Sequence, residues 1–294
     1  FKQKTAYEIS TRDWSSDVCS SDLVMIGSAL AYMDGHFQWL PALICCLFAG
    51  LMQIAANFIN DLFDYLKGTD REDRLGPERA CAQGWISPRA MRNGIIVTVL
   101  FACLIGSALL FYAGWELIIV GLLCVLFAFL YTTGPYPLSY NGWGDVLVIV
   151  FFGFVPVGGT YYVQALTWTS DTTVASLICG LLIDTLLVVN NYRDREADAR
   201  SGKRTVIVRF GEKFGRYLYL MLGVAASLLC FWFFFEGHLF AALLPLLYLI
   251  PHVLTWRRMV QIHSGKKLNS ILGETSRNML LMGILLSIGF LIRH

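Results

Sequence analysis

The sequence predicts an all-α integral membrane protein, and three observations predict it. Of the 294 residues, 56% are hydrophobic and only 15% charged, with a mean hydropathy of +0.58. A soluble domain carries about 25% charged residues. The apolar residues gather into stretches approaching the length that a helix needs to cross a bilayer, about 20 residues. No stretch alternates apolar and polar residues as a half-buried strand does. One bundle is expected, with no soluble domain.

Residues 1–22 (FKQKTAYEISTRDWSSDVCSSD) stand apart, being polar, mixed in charge and without apolar periodicity. They lack the apolar core and cleavage site of a signal peptide. They resemble translated sequencing-adapter read-through and are read as a non-native segment; a cytoplasmic amphipathic tail is the alternative. The apolar run at 23–32 is too short to span and reads as the second half of a first helix. Eight clearer spans follow, at about 38–65, 90–112, 116–131, 146–164, 173–192, 214–235, 239–256 and 271–292. With the shortened first helix this makes nine, and 23–294 is read as one transmembrane domain. The eight cysteines show no metal-ligand spacing and serve as small hydrophobes.

Charge placement orients the bundle. The loops 67–92, 193–216 and 257–277 hold 19 of the 23 Lys and Arg, whereas 33–37, 113–115, 165–172 and 236–238 hold none. Basic loops stay in the cytoplasm, so the chain starts inside and ends outside, in a cell membrane. No nucleic-acid partner is expected. The loop 132–145 (TTGPYPLSYNGWGD) differs: it has no basic residue but carries Tyr136, Tyr140 and Trp143. Its aromatics form either an interfacial belt or the lining of an aromatic-substrate pocket.

Two acidic stretches carry the chemistry, NFINDLFDYLKGTDRED (57–73) and NNYRDREAD (190–198). Asn57, Asp61 and Asp64 share one helix face, as do Asn190, Asp194 and Asp198. Carboxylates at the end of a membrane span are costly and so point to function. Both stretches end on the basic side. Two such helix ends facing each other suit Mg²⁺ and a diphosphate, because Mg²⁺ is held by one or two carboxylates plus phosphate oxygens. Asp61, Asp64 and Asp70 are candidates for one ion, and Asp194 with Asp198 for a second. Arg71, Arg74, Arg79, Lys203 and Arg204 are placed to bind phosphate oxygens, although loop cations also serve topology. Glu72, Asp73, Arg195 and Glu196 read as solvated loop charges. Asp184, mid-span and without an evident partner, is expected to face a polar cavity or to hydrogen-bond a neighbouring helix.

NFINDLFDYLKGTD resembles the NDxxDxxxGxD first motif of the UbiA-type membrane prenyltransferases, and NNYRDREADARSGKRT their second. RLGPERACAQGWIS (74–87), YTTGPYPLSYNGWGD (131–145) and LNSILGETSRNMLL (268–281) are similar to the 1,4-dihydroxy-2-naphthoate polyprenyltransferase branch. The resemblance covers about 23–292. It implies a nine-helix bundle with a cavity open sideways to lipid, and Mg²⁺-dependent transfer of a polyprenyl group from its diphosphate to an aromatic ring. Asn57, Asp61, Asp64 and Asp70 match the first motif; Asn191, Asp194 and Asp198 match the second. In that branch, transfer to 1,4-dihydroxy-2-naphthoate is coupled to loss of CO₂ and yields demethylmenaquinol. Asp61, Asp64, Asp194 and Asp198 are the expected catalytic residues. Substrate contacts are expected from Asn57, Asn191, Tyr140 and the cations named above. Phe58, Tyr65, Tyr131, Tyr161 and Tyr162 are candidates to face an allylic carbocation. Another aromatic or haem prenyltransferase is the alternative. An ion-coupled transporter fits less well, because it keeps its carboxylates near the bilayer midplane.

Overall fold

The computed structural model describes residues 14–68 and 75–292, with side chains from residue 22. Asp70, Arg71 and Arg74, with Glu72 and Asp73, lie outside the described residues. The described elements are helical: α1 (Trp14–Met33), α2 (Trp39–Leu66), α3 (Pro88–Ala113), α4 (Glu116–Thr132), α5 (Gly144–Ala165), α6 (Ser170–Arg200), α7 (Glu212–Phe235), α8 (Leu239–Ile262) and α9 (Lys266–Leu291). Seven of them, α2, α3 and α5 to α9, are long and apolar enough to cross a membrane. The apolar part of α1, Asp22–Met33, and all of α4 are shorter.

Local chemistry sets the helix starts. Ser87 accepts the Ala90 N–H at 3.2 Å and Pro88 follows it, an N-cap with proline in the first turn. Thr169 caps α6 by accepting the Thr172 N–H at 3.1 Å. Thr205 caps the short helix Val206–Phe210 in the same way. Within α5, Ile149–Gly158 is wound as a π-helix containing Pro156. Proline has no N–H to donate and wider winding moves the ring away from the preceding turn, so the two occur together.

Burial separates the central helices from the lipid-facing ones. In α6, 67% of the most apolar stretch is buried, and in α9 61%, against 17% in α2 and 22% in α3. The largest core cluster joins α1, α5, α6, α7 and α9 around Tyr161, Ile178, Phe233, Met282 and Phe290. At one end, Gln38 donates its backbone N–H to Gln164 Oε1 at 2.9 Å, and Tyr162 donates to Glu116 at 2.9 Å. At the other end, Asn269 donates to Leu75 O and the Arg204 N–H to Tyr140 O, both at 2.8 Å. The acidic stretches lie at this second end. The sixth span is longer than expected and continues to Arg200, and Asp194 and Asp198 stand on the helix, as their spacing implied.

Candidate active site

In the first motif, the described carboxylates differ in their engagement. Asp61 is 7% exposed, and its two oxygens accept the backbone N–H groups of Ala80 (2.9 Å) and Cys81 (3.1 Å). It thereby anchors the loop after α2, and Arg79 is brought to the same turn. Burial, with the Asp61 carboxylate beside it, pushes the Cys81 thiol up to about 11. Asp64, one turn further along α2, accepts a hydrogen bond from the Tyr140 hydroxyl at 3.3 Å. Asn57 is half-buried on the same face.

The second motif faces this one. Asp198 is 8% exposed and lies within electrostatic reach of Asp64 and Asp194. Lys203 Nζ is 3.7 Å from Asp198 Oδ1, and Asp198 Oδ2 is buried with no hydrogen-bond partner among the described residues. A buried carboxylate oxygen without a donor is costly and suits a cation. Asn191 is buried on the same helix. Asp194 is held by Arg193, whose Nε and Nη2 donate to its two oxygens at 2.8 and 2.6 Å. Arg193 is 3% exposed and reaches on to Asn269 Oδ1 at 2.9 Å, fixing α6 to α9.

Two residues of this site went unread in the sequence. Arg193 sits among the charges of NNYRDREAD, where spacing alone gives no sign that it reaches Asp194 and Asn269 while Arg195 turns to Glu212. Lys67 follows the last turn of α2. Its Nζ donates to Thr132 O and stands 4.4 Å from the centroid of the Tyr140 ring, with Lys203 Nζ at 5.6 Å from the same ring. Burial of part of its side chain lowers the Lys67 pKa; Asp64 opposes that effect and Lys203 adds to it. Two ammonium groups over one ring, beside Asp64 and Asp198, make a site for an anion bridged by a cation. Arg204 is exposed, and its backbone N–H holds Tyr140.

Among the described residues no three His, Cys, Asp or Glu side chains converge into a closed metal cage. What the two motifs present is a few oxygen ligands facing a cationic rim. Such a set suits Mg²⁺, which keeps open positions for water and phosphate oxygens. Tyr161 and Tyr162 do not join the site: their hydroxyls bond Asp34 (2.5 Å) and Glu116 (2.9 Å) at the opposite end. Tyr131 does approach it, within electrostatic reach of Asp64 and Asp198. Tyr65 is exposed, and Phe58 packs half-buried under Gly94 of α3. An apolar groove of about 300 Å³ between α1 and α9, lined by Met25, Tyr32 and Ile288 among others, is separate from both motifs.

Comparison with known proteins bears on this geometry. The sequence pattern of the UbiA prenyltransferase family matches residues 23–282. The 1,4-dihydroxy-2-naphthoate octaprenyltransferase of Escherichia coli (strain K12) is 40% identical over 213 residues, 70% of this chain and 69% of that protein. The enzyme of the same name from Haemophilus influenzae is 37% identical over 285 residues, 92% of this chain and 90% of its own length. A UbiA homolog from Archaeoglobus fulgidus, solved bound to DMAPP and Mg²⁺, superposes with a TM-score of 0.60 at 13% identity, covering 93% of this chain and 99% of that one.

Proposed function

This chain belongs to the UbiA prenyltransferase family, and from that premise we propose that it transfers a polyprenyl group from its diphosphate to 1,4-dihydroxy-2-naphthoate, releasing diphosphate and CO₂ and giving demethylmenaquinol. It is a multi-pass membrane enzyme. The observation that carries the reading is the meeting of two acidic helix ends with Lys67 and Lys203 over Tyr140. That is the arrangement a membrane protein needs in order to hold a diphosphate.

The residues divide the work by charge. Asp64 and Asp198 would hold Mg²⁺, with Asp194 beside them and Asp70 of the first motif as a further ligand, and Asp61 keeps the adjoining loop in place. When bound, Mg²⁺ neutralises the diphosphate and stabilises the charge that develops as it leaves. Lys67, Lys203, Arg79 and Arg204, with Arg71 and Arg74, hold phosphate oxygens. Asn57 and Asn191 orient the same groups by hydrogen bonding. Tyr140 couples the two halves, since its hydroxyl bonds Asp64 and its ring lies under both ammonium groups. Tyr131 presents an aromatic face towards the allylic carbon, where the enclosing helices exclude water. We take α1 and α4 to complete a nine-helix bundle of residues 23–294 in the cell membrane, with the site on the cytoplasmic side.

The test incubates membranes holding the protein with Mg²⁺, a polyprenyl diphosphate and 1,4-dihydroxy-2-naphthoate. Prenylated naphthoquinol with release of CO₂ is expected. Product from 4-hydroxybenzoate, and none from the naphthoate, would overturn the acceptor assignment.

A further inference from the structure

A buried acid pair lies outside both motifs. The antiparallel helices α5 and α6 approach closely at glycine. A Cβ on Gly153 would stand 2.4 Å from Ser176 O, and one on Gly180 would stand 2.9 Å from Ile149 O. These contacts set a register in which 153 faces 176 and 149 faces 180. Four residues further along each helix, Asp145 faces Asp184, and the two carboxyls are close enough to act on each other.

The pair has spare accepting capacity. Asp184 is 2% exposed, and among the described residues its Oδ1 accepts from no donor. A bond serving only to join two membrane helices is commonly made by Ser, Thr or Asn without placing an acid there. Among the described residues no third ligand converges for a metal. The missing partner is therefore a hydrogen-bond donor. Tyr131 shows where it would come from: its hydroxyl is 3.5 Å from the place a Cβ on Gly144 would take, one residue from Asp145. Its phenol lies within electrostatic reach of Asp64 and Asp198 as well as of both acids. The acid pair and the two motifs thus flank one aromatic side chain, on which a planar ring can rest.

We propose that the Asp145–Asp184 pair is the subsite for a ring hydroxyl of the aromatic acceptor, with Asp184 Oδ1 accepting its hydrogen bond. This rests on the reading of the protein as a prenyltransferase acting on a hydroxylated aromatic acid. The same negative charge turns the acceptor's carboxylate away from the pair, so the two acids set its orientation. A site that hydrogen-bonds a substrate hydroxyl discriminates strongly against an analogue lacking it.

The experiment compares the full-length protein with its Asp184→Leu, Asp184→Asn and Asp145→Asn variants, using Mg²⁺, geranylgeranyl diphosphate and 1,4-dihydroxy-2-naphthoate. Asp184→Leu is expected to raise KM for the naphthoate at least tenfold and KM for the prenyl diphosphate less than twofold. The two monohydroxy-2-naphthoates, each missing one ring hydroxyl, serve as competitive inhibitors. One should bind the native protein at least tenfold more weakly than the other, and Asp184→Leu should erase that difference. Asp184→Asn keeps an accepting oxygen and should retain part of the discrimination; if Asp184→Leu does not fold, the split is read on Asp184→Ala, which removes the acceptor without adding bulk. Both KM values rising together, or discrimination persisting in the variant that lacks the acceptor, would overturn the subsite. A native protein that prenylates only 4-hydroxybenzoate would overturn the naphthoate reading alone. The pair is then judged by inhibition with 4-hydroxybenzoate against benzoate.

Discussion

Asp198 and Asp61 carry the same side chain and sit in comparable burial, yet they are engaged differently. Asp61 spends its oxygens on two backbone N–H groups, while Asp198 keeps one buried oxygen free. Asp198→Asn and Asp64→Asn should therefore each lower kcat on the order of 100-fold or more while the protein still folds, since what is removed is charge stabilisation at the leaving group. Asp61→Asn sets an amide N–H₂ against a backbone donor. It should abolish turnover and also destabilise the loop, by about 1–3 kcal/mol, seen as proteolysis between residues 75 and 87. Lys67 gives a pH test. Its ammonium form binds the anion, and its pKa is lowered, so the charge is lost at lower pH than in an ordinary lysine, near 10.4. KM for the prenyl diphosphate should thus climb on the alkaline side below that range, and Lys67→Arg should remove the climb. The acidic residues were legible because they break an apolar run at helical spacing. Arg193 and Lys67 were not, because a cation's inward direction depends on partners such as Asn269 and Thr132, which are more than 60 residues away.

The helices themselves were legible from their apolar lengths; their contacts were not. The expected end of the sixth span at residue 192 fell short because the charges of YRDREADAR read as loop, whereas Arg193, Asp194 and Asn269 satisfy one another and let α6 run to Arg200. Asp184 was expected to find a neighbouring helix or a polar cavity, and the neighbour is α5. The partner, Asp145, follows from the glycine register, which periodicity within one helix does not reveal. That register is testable on its own. Gly180→Val would push a branched side chain against the Ile149 backbone, where no flexible side-chain end can yield. Overpacking of this kind costs about 1–3 kcal/mol. It should appear as a lower melting temperature in detergent, and separation of Asp145 from Asp184 should lower the affinity for the acceptor. Gly159→Ala on α5 meets nothing within 4 Å and should leave both quantities unchanged.

At the scale of the whole molecule, the loops sort by charge and the site sorts with them. The loops of Leu75, Arg204 and Asn269 carry the basic residues, and the loop of Tyr140, which has none, is tied to them through the Arg204 N–H. The loops at the end marked by Glu116, Gln164 and Trp232 carry none. In the proposed orientation, with Lys and Arg retained on the cytoplasmic side, both acidic motifs would lie where a water-soluble diphosphate leaves and a charged naphthoate arrives. Two single-cysteine variants test this orientation: Ser201→Cys in the loop after α6, which gives up only the bond from the Ser201 hydroxyl to the Asp198 backbone carbonyl, and Glu236→Cys in the turn after α7, both exposed. In intact cells a membrane-impermeant maleimide should label Glu236→Cys and spare Ser201→Cys. After the membrane is opened both should react, and a diphosphate analogue with Mg²⁺ should slow labelling at 201, three residues from Asp198, with no effect at 236. The reverse pattern in intact cells would place the diphosphate site on the outer face and remove the topological support for the proposed reaction.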